Sequence, residues 1–381
     1  EDFTQFKIAP PPLPSSCSEC SPYTCSYEEC PICFPACGFE EYHQSLGYFI
    51  RHKVSRDGGI SWISESDNLN ERTNLPIGVD YGTTSSYYYP YVVAWVSSNG
   101  SNQIMTAIGN GVTWTNKVST IFTSETGVGV AYGNGRWVLA WATPDYGTST
   151  SRTIYWLSST DGFSWTYLRS LQYRECQVCG PTGCSGCVYS SHGSLTGPGI
   201  EFDPVSGRFL IYFVNWDNES PLQGSLGKLR VCTISDPTVG VTNCSEMSSS
   251  FNLINLPSIS CKPSDSCAIT LAQAGGLQDN QLHFGCGSVD SNARFQFGPL
   301  TPMGATYSSR SELSTVYGPG DGNFVLAFRG QDGNTRGNSA IKVFPCDSWG
   351  GKSTWSQTFP YGPTTAYGER WNEFAIYYGG Y

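Results

Sequence analysis

The sequence predicts an all-β chain: a β-propeller of about six blades, closed by its N- and C-terminal strands and preceded by a Pro-rich, Cys-rich arm. Three observations predict it. A short phrase recurs, as Ser55-Arg56-Asp57-Gly58-Gly59-Ile60-Ser61-Trp62 and as Ser159-Thr160-Asp161-Gly162-Phe163-Ser164-Trp165, with a worn version at Gly109-Asn110-Gly111-Val112-Thr113-Trp114. Each copy supplies a tight turn through Asp-Gly or Asn-Gly and then a Trp that can pack between hairpins. Repetition of one such unit marks a repeat architecture. The composition agrees: 43 Gly, 23 Tyr and 19 Phe stand against only 14% charged residues, which suits many short strands and tight turns. No stretch sustains a 3.6-residue apolar period, so little helix is expected.

The elements follow in order. Residues 1–40 form the arm. Phe3, Phe6 and Ile8 lie in a short strand with Thr4, Phe6 and Ile8 on one face. Pro10, Pro11 and Pro12 then fix a stiff polyproline spacer. Cys17, Cys20, Cys25, Cys30, Cys33 and Cys37 make a small Cys-rich module without a core of its own. Residues 41–381 form the propeller. The clearest blade runs from Val128 to Tyr167: Val128–Tyr132, Arg136–Trp141, Thr153–Leu157, then the second phrase. Further units begin near Tyr87, Leu195 and Ser314, with a weaker one over 266–300. The segment Arg370–Tyr378 supplies inner strands without outer partners, whereas Gly47–Ile63 supplies outer strands without inner ones. Joining the two closes the ring and removes free sheet edges.

The 16 Cys and three sequons, at Asn99, Asn218 and Asn243, point to the secretory route. The chain opens at Glu1 without an apolar leader, which reads as a mature form after signal removal. No apolar run is long enough to span a membrane. A net charge of -10 without a basic stripe argues against nucleic acid. Cys176, Cys179, Cys184 and Cys187 sit in an insertion as two C-x2-C knuckles. Tetrahedral zinc is one reading. The gap of four between the knuckles is short for a zinc ribbon, and the sequons favour disulfides. Cys232 with Cys244 and Cys261 with Cys267 read as local clamps within a blade. Cys286 and Cys346 pair with each other or with a neighbouring chain. No metal and no cofactor is expected.

The recurring phrase resembles the Asp box of sialidase-like β-propellers, carried by Ser55, Asp57, Gly59 and Trp62 and by Ser159, Asp161 and Trp165. In that family the box is a device of the fold at the blade edge. The resemblance implies a pocket at the ring centre, with three Arg holding a carboxylate, a Tyr–Glu nucleophile and an Asp acid. The family's Arg-Ile-Pro phrase is replaced here by Tyr48-Phe49-Ile50-Arg51-His52-Lys53. Glu373 and Tyr377 lie near the closing strand. No catalytic residue is assigned. The four His show no ligand spacing, and no nucleophile elbow, metalloprotease or P-loop motif is present. The leading expectation is therefore non-enzymatic: a subunit of an extracellular filament, appendage or coat, its arm docking on another copy of the chain. The alternative is a carbohydrate-binding or sialidase-like, glycoside-hydrolysing propeller.

Overall fold

The computed structural model describes residues 2–9, 48–55, 63–64, 69–82, 90–110, 113–144, 152–171, 173–180, 183–190, 196–216, 227–241, 243–247, 253, 255–263, 266–273, 281–302, 313–318, 323–329, 339–344, 357–359 and 374–379. Among them all regular elements are strands. The chain begins with β1 (Asp2–Ala9), β2 (Tyr48–Ser55), β3 (Ile63–Ser64) and β4 (Arg72–Thr73). Blade 2 holds β5 (Gly78–Tyr81), β6 (Tyr91–Val96), β7 (Gln103–Gly109) and β8 (Trp114–Thr123). Blade 3 holds β9 (Val128–Gly133), β10 (Arg136–Pro144), β11 (Arg152–Ser159) and β12 (Thr166–Ser170). A separate hairpin follows, β13 (Tyr173–Gly180) and β14 (Gly183–Ser190). Blade 4 holds β15 (Gly199–Asp203), β16 (Arg208–Trp216), β17 (Gly227–Ile234) and β18 (Asn243–Glu246). Blade 5 holds β19 (Ser258–Cys261), β20 (Cys267–Gln273), β21 (Gln281–Val289), β22 (Phe295–Phe297) and β23 (Thr301–Pro302). Blade 6 holds β24 (Ser314–Gly318), β25 (Asn323–Arg329), β26 (Ser339–Phe344) and β27 (Gln357–Phe359). Finally β28 (Phe374–Gly379) returns to the start and completes blade 1 in the order β28-β1-β2-β3, with β4 also on β2.

The fold is thus an all-β propeller, six-bladed among the described residues. Its innermost strands β28, β5, β9, β15, β19 and β24 touch one another in sequence around the ring. Closure differs from the expectation in one respect. Strand β1 is no free arm: it pairs with β2 on one edge, Phe3 opposite Ser55 and Ile8 opposite Ile50. On the other edge it pairs with β28, Phe3 opposite Tyr378 and Phe6 opposite Ala375. The physical reason is that β28 supplies a single inner strand, which leaves an open edge that β1 fills. Alternation of apolar side chains fits any half-buried strand, so the pattern alone does not choose between the chain's own sheet and a neighbour's. Pro10, Pro11, Pro12, the six Cys from Cys17 to Cys37, Asp57, Gly59, Trp62, Asn218 and Cys346 lie outside the described residues.

Packing follows from the stacking of blades. The second strands of blades 2 to 5 are covered on both faces, so they read as continuous apolar runs rather than alternations. In β6 every side chain is buried, and Trp95, Trp137 and Trp141 are among the largest fully buried side chains. The outermost β12 is mostly exposed. Between third and fourth strands an Asx turn recurs. Asp161 Oδ1 accepts from Phe163 N (3.0 Å) and Ser164 N (2.7 Å), and Ser159 Oγ donates to the same oxygen at 2.7 Å. Asn110 does the same for Thr113 N at 2.8 Å. Asp236 and Asp290 build the corresponding turns of blades 4 and 5, although their sequences escape the recurring phrase. These turns join blades: Trp165 Nε1 donates to Thr106 Oγ1 in blade 2, and Trp156 Nε1 donates to Pro237 O in blade 4.

Two local disulfides form as the spacing suggests, Cys232–Cys244 and Cys261–Cys267. Each joins residues directly opposite in register. Cys286 is also disulfide-bonded. In the hairpin insertion the backbone places Cys176 opposite Cys187 and Cys179 opposite Cys184.

Candidate active site in the central channel

The inner strands carry a repeated phrase that sets the geometry of the channel. It reads Gly78-Val79-Asp80-Tyr81 in β5, Gly129-Val130-Ala131-Tyr132 in β9 and Gly199-Ile200-Glu201-Phe202 in β15. In β19 it becomes Ser258-Ile259-Ser260-Cys261. The glycine lets neighbouring backbones close up: a Cβ on Gly78 would lie 2.7 Å from Val130 N, and one on Gly129 would lie 2.9 Å from Pro198 O. The aromatic at the fourth position packs on the residue opposite it in the same blade. The pairs are Tyr81–Tyr91, Tyr132–Trp137, Phe202–Phe209 and, in blade 6, Tyr317–Phe324, with centroids 4.9 to 5.4 Å apart. Such cross-strand pairs fix the register of a hairpin. In blade 5 that position is the Cys261–Cys267 disulfide instead.

The third position carries the polar chemistry. An innermost strand has one edge without a sheet partner, and its N–H groups need acceptors. The preceding blade supplies them. Asp80 Oδ2 accepts from Tyr132 N at 2.5 Å, Glu201 Oε1 from Cys261 N at 3.0 Å and Ser260 Oγ from Tyr317 N at 3.1 Å. One step back, Ser258 Oγ accepts from Thr315 N at 2.8 Å. These bonds clasp successive blades and fix the two carboxyl groups in place. Asp80 Oδ1 also accepts from Tyr81 N at 2.8 Å, and Ser260 Oγ lies 3.5 Å from Glu201 Oε1.

Both carboxyls line one cavity of about 380 Å³ on the ring axis, together with Tyr81, Tyr132, Tyr212 and Tyr317. Burial holds the Glu201 carboxyl well above the usual carboxylate range; the charges of Asp80 and, less strongly, Asp203 push the same way, against the lowering bonds from Cys261 and Ser260. Asp203 itself is buried and caps the β15–β16 turn through Val205 N and Ser206 N. It lies within 4.8 Å of both sulfurs of Cys261 and Cys267, a grouping that resembles a metal site in outline. The sulfurs are joined to each other, so they offer no thiolate ligands. A carboxyl whose proton affinity is raised, beside a second carboxyl in a partly enclosed channel, is an arrangement able to donate a proton to a leaving oxygen and to stabilise developing positive charge.

The residues singled out from the sequence lie elsewhere. Arg51 sits in β2, two strands out from the axis, opposite Lys7. Tyr377 is on β28 opposite Thr4, and Glu373 lies outside the described residues. Ser159, Asp161 and Trp165 build an outer turn. Asn99 is exposed in a turn that Ser101 N closes on its Oδ1 at 3.1 Å. Asn243 donates its Nδ2 to Asn292 O at 2.6 Å. Sequence reasoning missed Asp80 and Glu201. The signal was the phrase Gly, β-branched, acid, aromatic, present in both β5 and β15, where an acid interrupts an otherwise apolar inner strand.

The chain matches no family model and no curated protein sequence. Solved structures are similar to it at low identity. A mutant α-L-arabinofuranosidase Arb93A of Fusarium graminearum, bound to an iminosugar inhibitor, has a TM-score of 0.49 at 11% identity, over 77% of this chain and 84% of that one. A Penicillium chrysogenum α-L-arabinanase bound to arabinobiose has 0.48 at 13%, over 78% and 85%. A protein of unknown function from Dyadobacter fermentans has 0.48 at 16%, over 74% and 83%. The expectation of a non-enzymatic filament, appendage or coat subunit is corrected here. The strand that was to reach another copy is spent inside blade 1.

Proposed function

We propose that this protein cleaves a glycosidic bond in its central channel, with Glu201 as general acid and Asp80 as the partner carboxylate. The observation that supports this reading is the convergence of the two groups on one cavity, the proton affinity of one raised by burial and by the other's charge. Glycoside hydrolysis needs such a pair, an acid for the leaving oxygen and a carboxylate on the other side of the anomeric carbon. A cavity of about 380 Å³ falls in the range of small-ligand sites. The tyrosines around it offer flat faces for a sugar ring and hydroxyls for its polar edge. Among the described lining residues there is no Arg, Lys or His, which favours an uncharged sugar over the carboxylated one that a sialidase takes. The turn at Ser159–Trp165 supports placing the chain among Asp-box propellers. The disulfides and the exposed Asn99 sequon support a secreted protein.

The test is release of reducing sugar from a panel of neutral polysaccharides and aryl glycosides by the purified protein and by Glu201→Gln. Gln keeps an acceptor for Cys261 N and removes the proton donor. The expected loss is about 10²- to 10⁴-fold, the usual contribution of a general acid, with the fold unchanged by circular dichroism. Activity undiminished in the folded variant, or no cleavage of any substrate by the parent protein, contradicts the reading.

A further inference from the structure

We infer that the Cys261–Cys267 disulfide is a positioning device for Glu201: by tying the first register pair of the β19–β20 hairpin, it fixes the backbone N–H that orients the Glu201 carboxyl in the channel. This deepens the proposed function and rests on it for its catalytic meaning.

Three observations carry the inference. First, the disulfide departs from the repeat. Blades 2, 3, 4 and 6 hold the same hairpin position with an aromatic pair, whereas blade 5 uses a covalent bond. Second, the departure falls where Glu201 is anchored. The carboxyl accepts from Cys261 N at 3.0 Å and lies 3.5 Å from Ser260 Oγ, the residue before it. The other clasping carboxylate, Asp80, is anchored on Tyr132, whose blade keeps the aromatic pair. Third, the hairpin itself is short. Beyond the Cys261–Cys267 pair the loop is closed by Lys262 N donating to Ser266 O at 3.1 Å. A Cys pair is much smaller than two aromatic rings, so it holds register without filling the space at the channel wall. The groups whose charge acts on Glu201 are Asp80 on β5 and Asp203 on its own strand; Lys262 follows Cys261 on the hairpin.

The measurement is the pH titration of the Glu201 side-chain carbon by NMR in protein labelled with ¹³C at the glutamate carboxyl, the resonance being assigned by its loss in Glu201→Gln. Four proteins are compared: the parent, Cys261→Ala/Cys267→Ala, Cys261→Tyr/Cys267→Phe and Cys232→Ala/Cys244→Ala. The second installs the pair that blade 6 uses and keeps the hairpin packed. The last removes a disulfide of blade 4 that does not touch Glu201. The parent should titrate well above an ordinary glutamate. Cys261→Ala/Cys267→Ala should titrate lower by about one unit or more, because water admitted to a loosened carboxyl removes the burial that is the largest cause of its shift; Cys261→Tyr/Cys267→Phe, whose aromatic pair holds the same register, should titrate closer to the parent. The blade 4 variant should titrate like the parent. An unchanged midpoint in folded Cys261→Ala/Cys267→Ala, or an equal shift in the blade 4 variant, overturns the inference. The readout needs no substrate, so a failed cleavage test and a failed positioning test remain distinguishable.

Discussion

Two joints of the ring can be set side by side. Between blades 2 and 3, Gly78 lets the backbones close to near contact, Asp80 accepts from Tyr132 N, and an aromatic pair holds the receiving hairpin. Between blades 4 and 5, Glu201 accepts from Cys261 N and a disulfide holds the hairpin. The position in the repeat is the same, and so is the structural demand, an acceptor for the open edge of an inner strand. Ser260 meets that demand at the next joint with a neutral hydroxyl. A carboxyl is therefore not required for the clasp. Where two carboxyls are used, they face one cavity and the charge of Asp80 raises the proton affinity of Glu201, which is the difference that points to chemistry.

The comparison can be broken in several ways. The largest effect is expected on activity, the loss of about 10²- to 10⁴-fold in Glu201→Gln; Ser258→Ala, at the hydroxyl that accepts from Thr315 N, should leave activity within a few-fold when both are assayed on the same glycoside. Next comes folding. Gly78→Val places a branched side chain against Val130 N and Gly129. It should cost about 3 kcal/mol or more in urea denaturation, at the upper end of overpacking effects because backbone rather than a side chain must move. Asp80→Asn should cost about 1–3 kcal/mol, since one of its two N–H donors would then face an amide NH₂. The smallest effect is at the rim: Asp161→Ala removes an acceptor shared by Phe163 N and Ser164 N and should cost about 1 kcal/mol.

Stability should also carry the signature of Glu201. Its folded value is raised above 4.5, so between that pH and the raised value the folded state holds a proton that the unfolded state has released. Stability present below this window is then lost as pH rises through it. Glu201→Gln should flatten that slope in a series of urea melts, and an identical slope in the variant would show that another group is responsible.

Much of the ring was legible in the sequence. Strand runs such as Tyr91–Val96 and the turn at Ser159–Trp165 are local patterns, and they set the blade architecture without any long-range information. The pairs Cys232–Cys244 and Cys261–Cys267 were legible because their short spacing matches one hairpin. The closure by β1 was not, because Phe3, Phe6 and Ile8 show a pattern that any open edge accepts. The turns at Asp236 and Asp290 were hidden because the backbone geometry needs only an Asx acceptor, not the whole phrase. Asp80 and Glu201 are far apart in the chain and become neighbours only when the ring closes. Each alone reads as a solvated acid in a strand.

The most direct test of the central claim compares leaving groups. A general acid matters only when the departing oxygen is too basic to leave alone. Kinetics of the parent and of Glu201→Gln on a 2,4-dinitrophenyl glycoside and on the matching alkyl glycoside would separate the roles. If Glu201 donates the proton, the variant should retain most of its rate on the dinitrophenyl substrate and lose about 10²-fold or more on the alkyl one. Equal losses on both substrates would contradict that role and leave Glu201 as a clasp between blades.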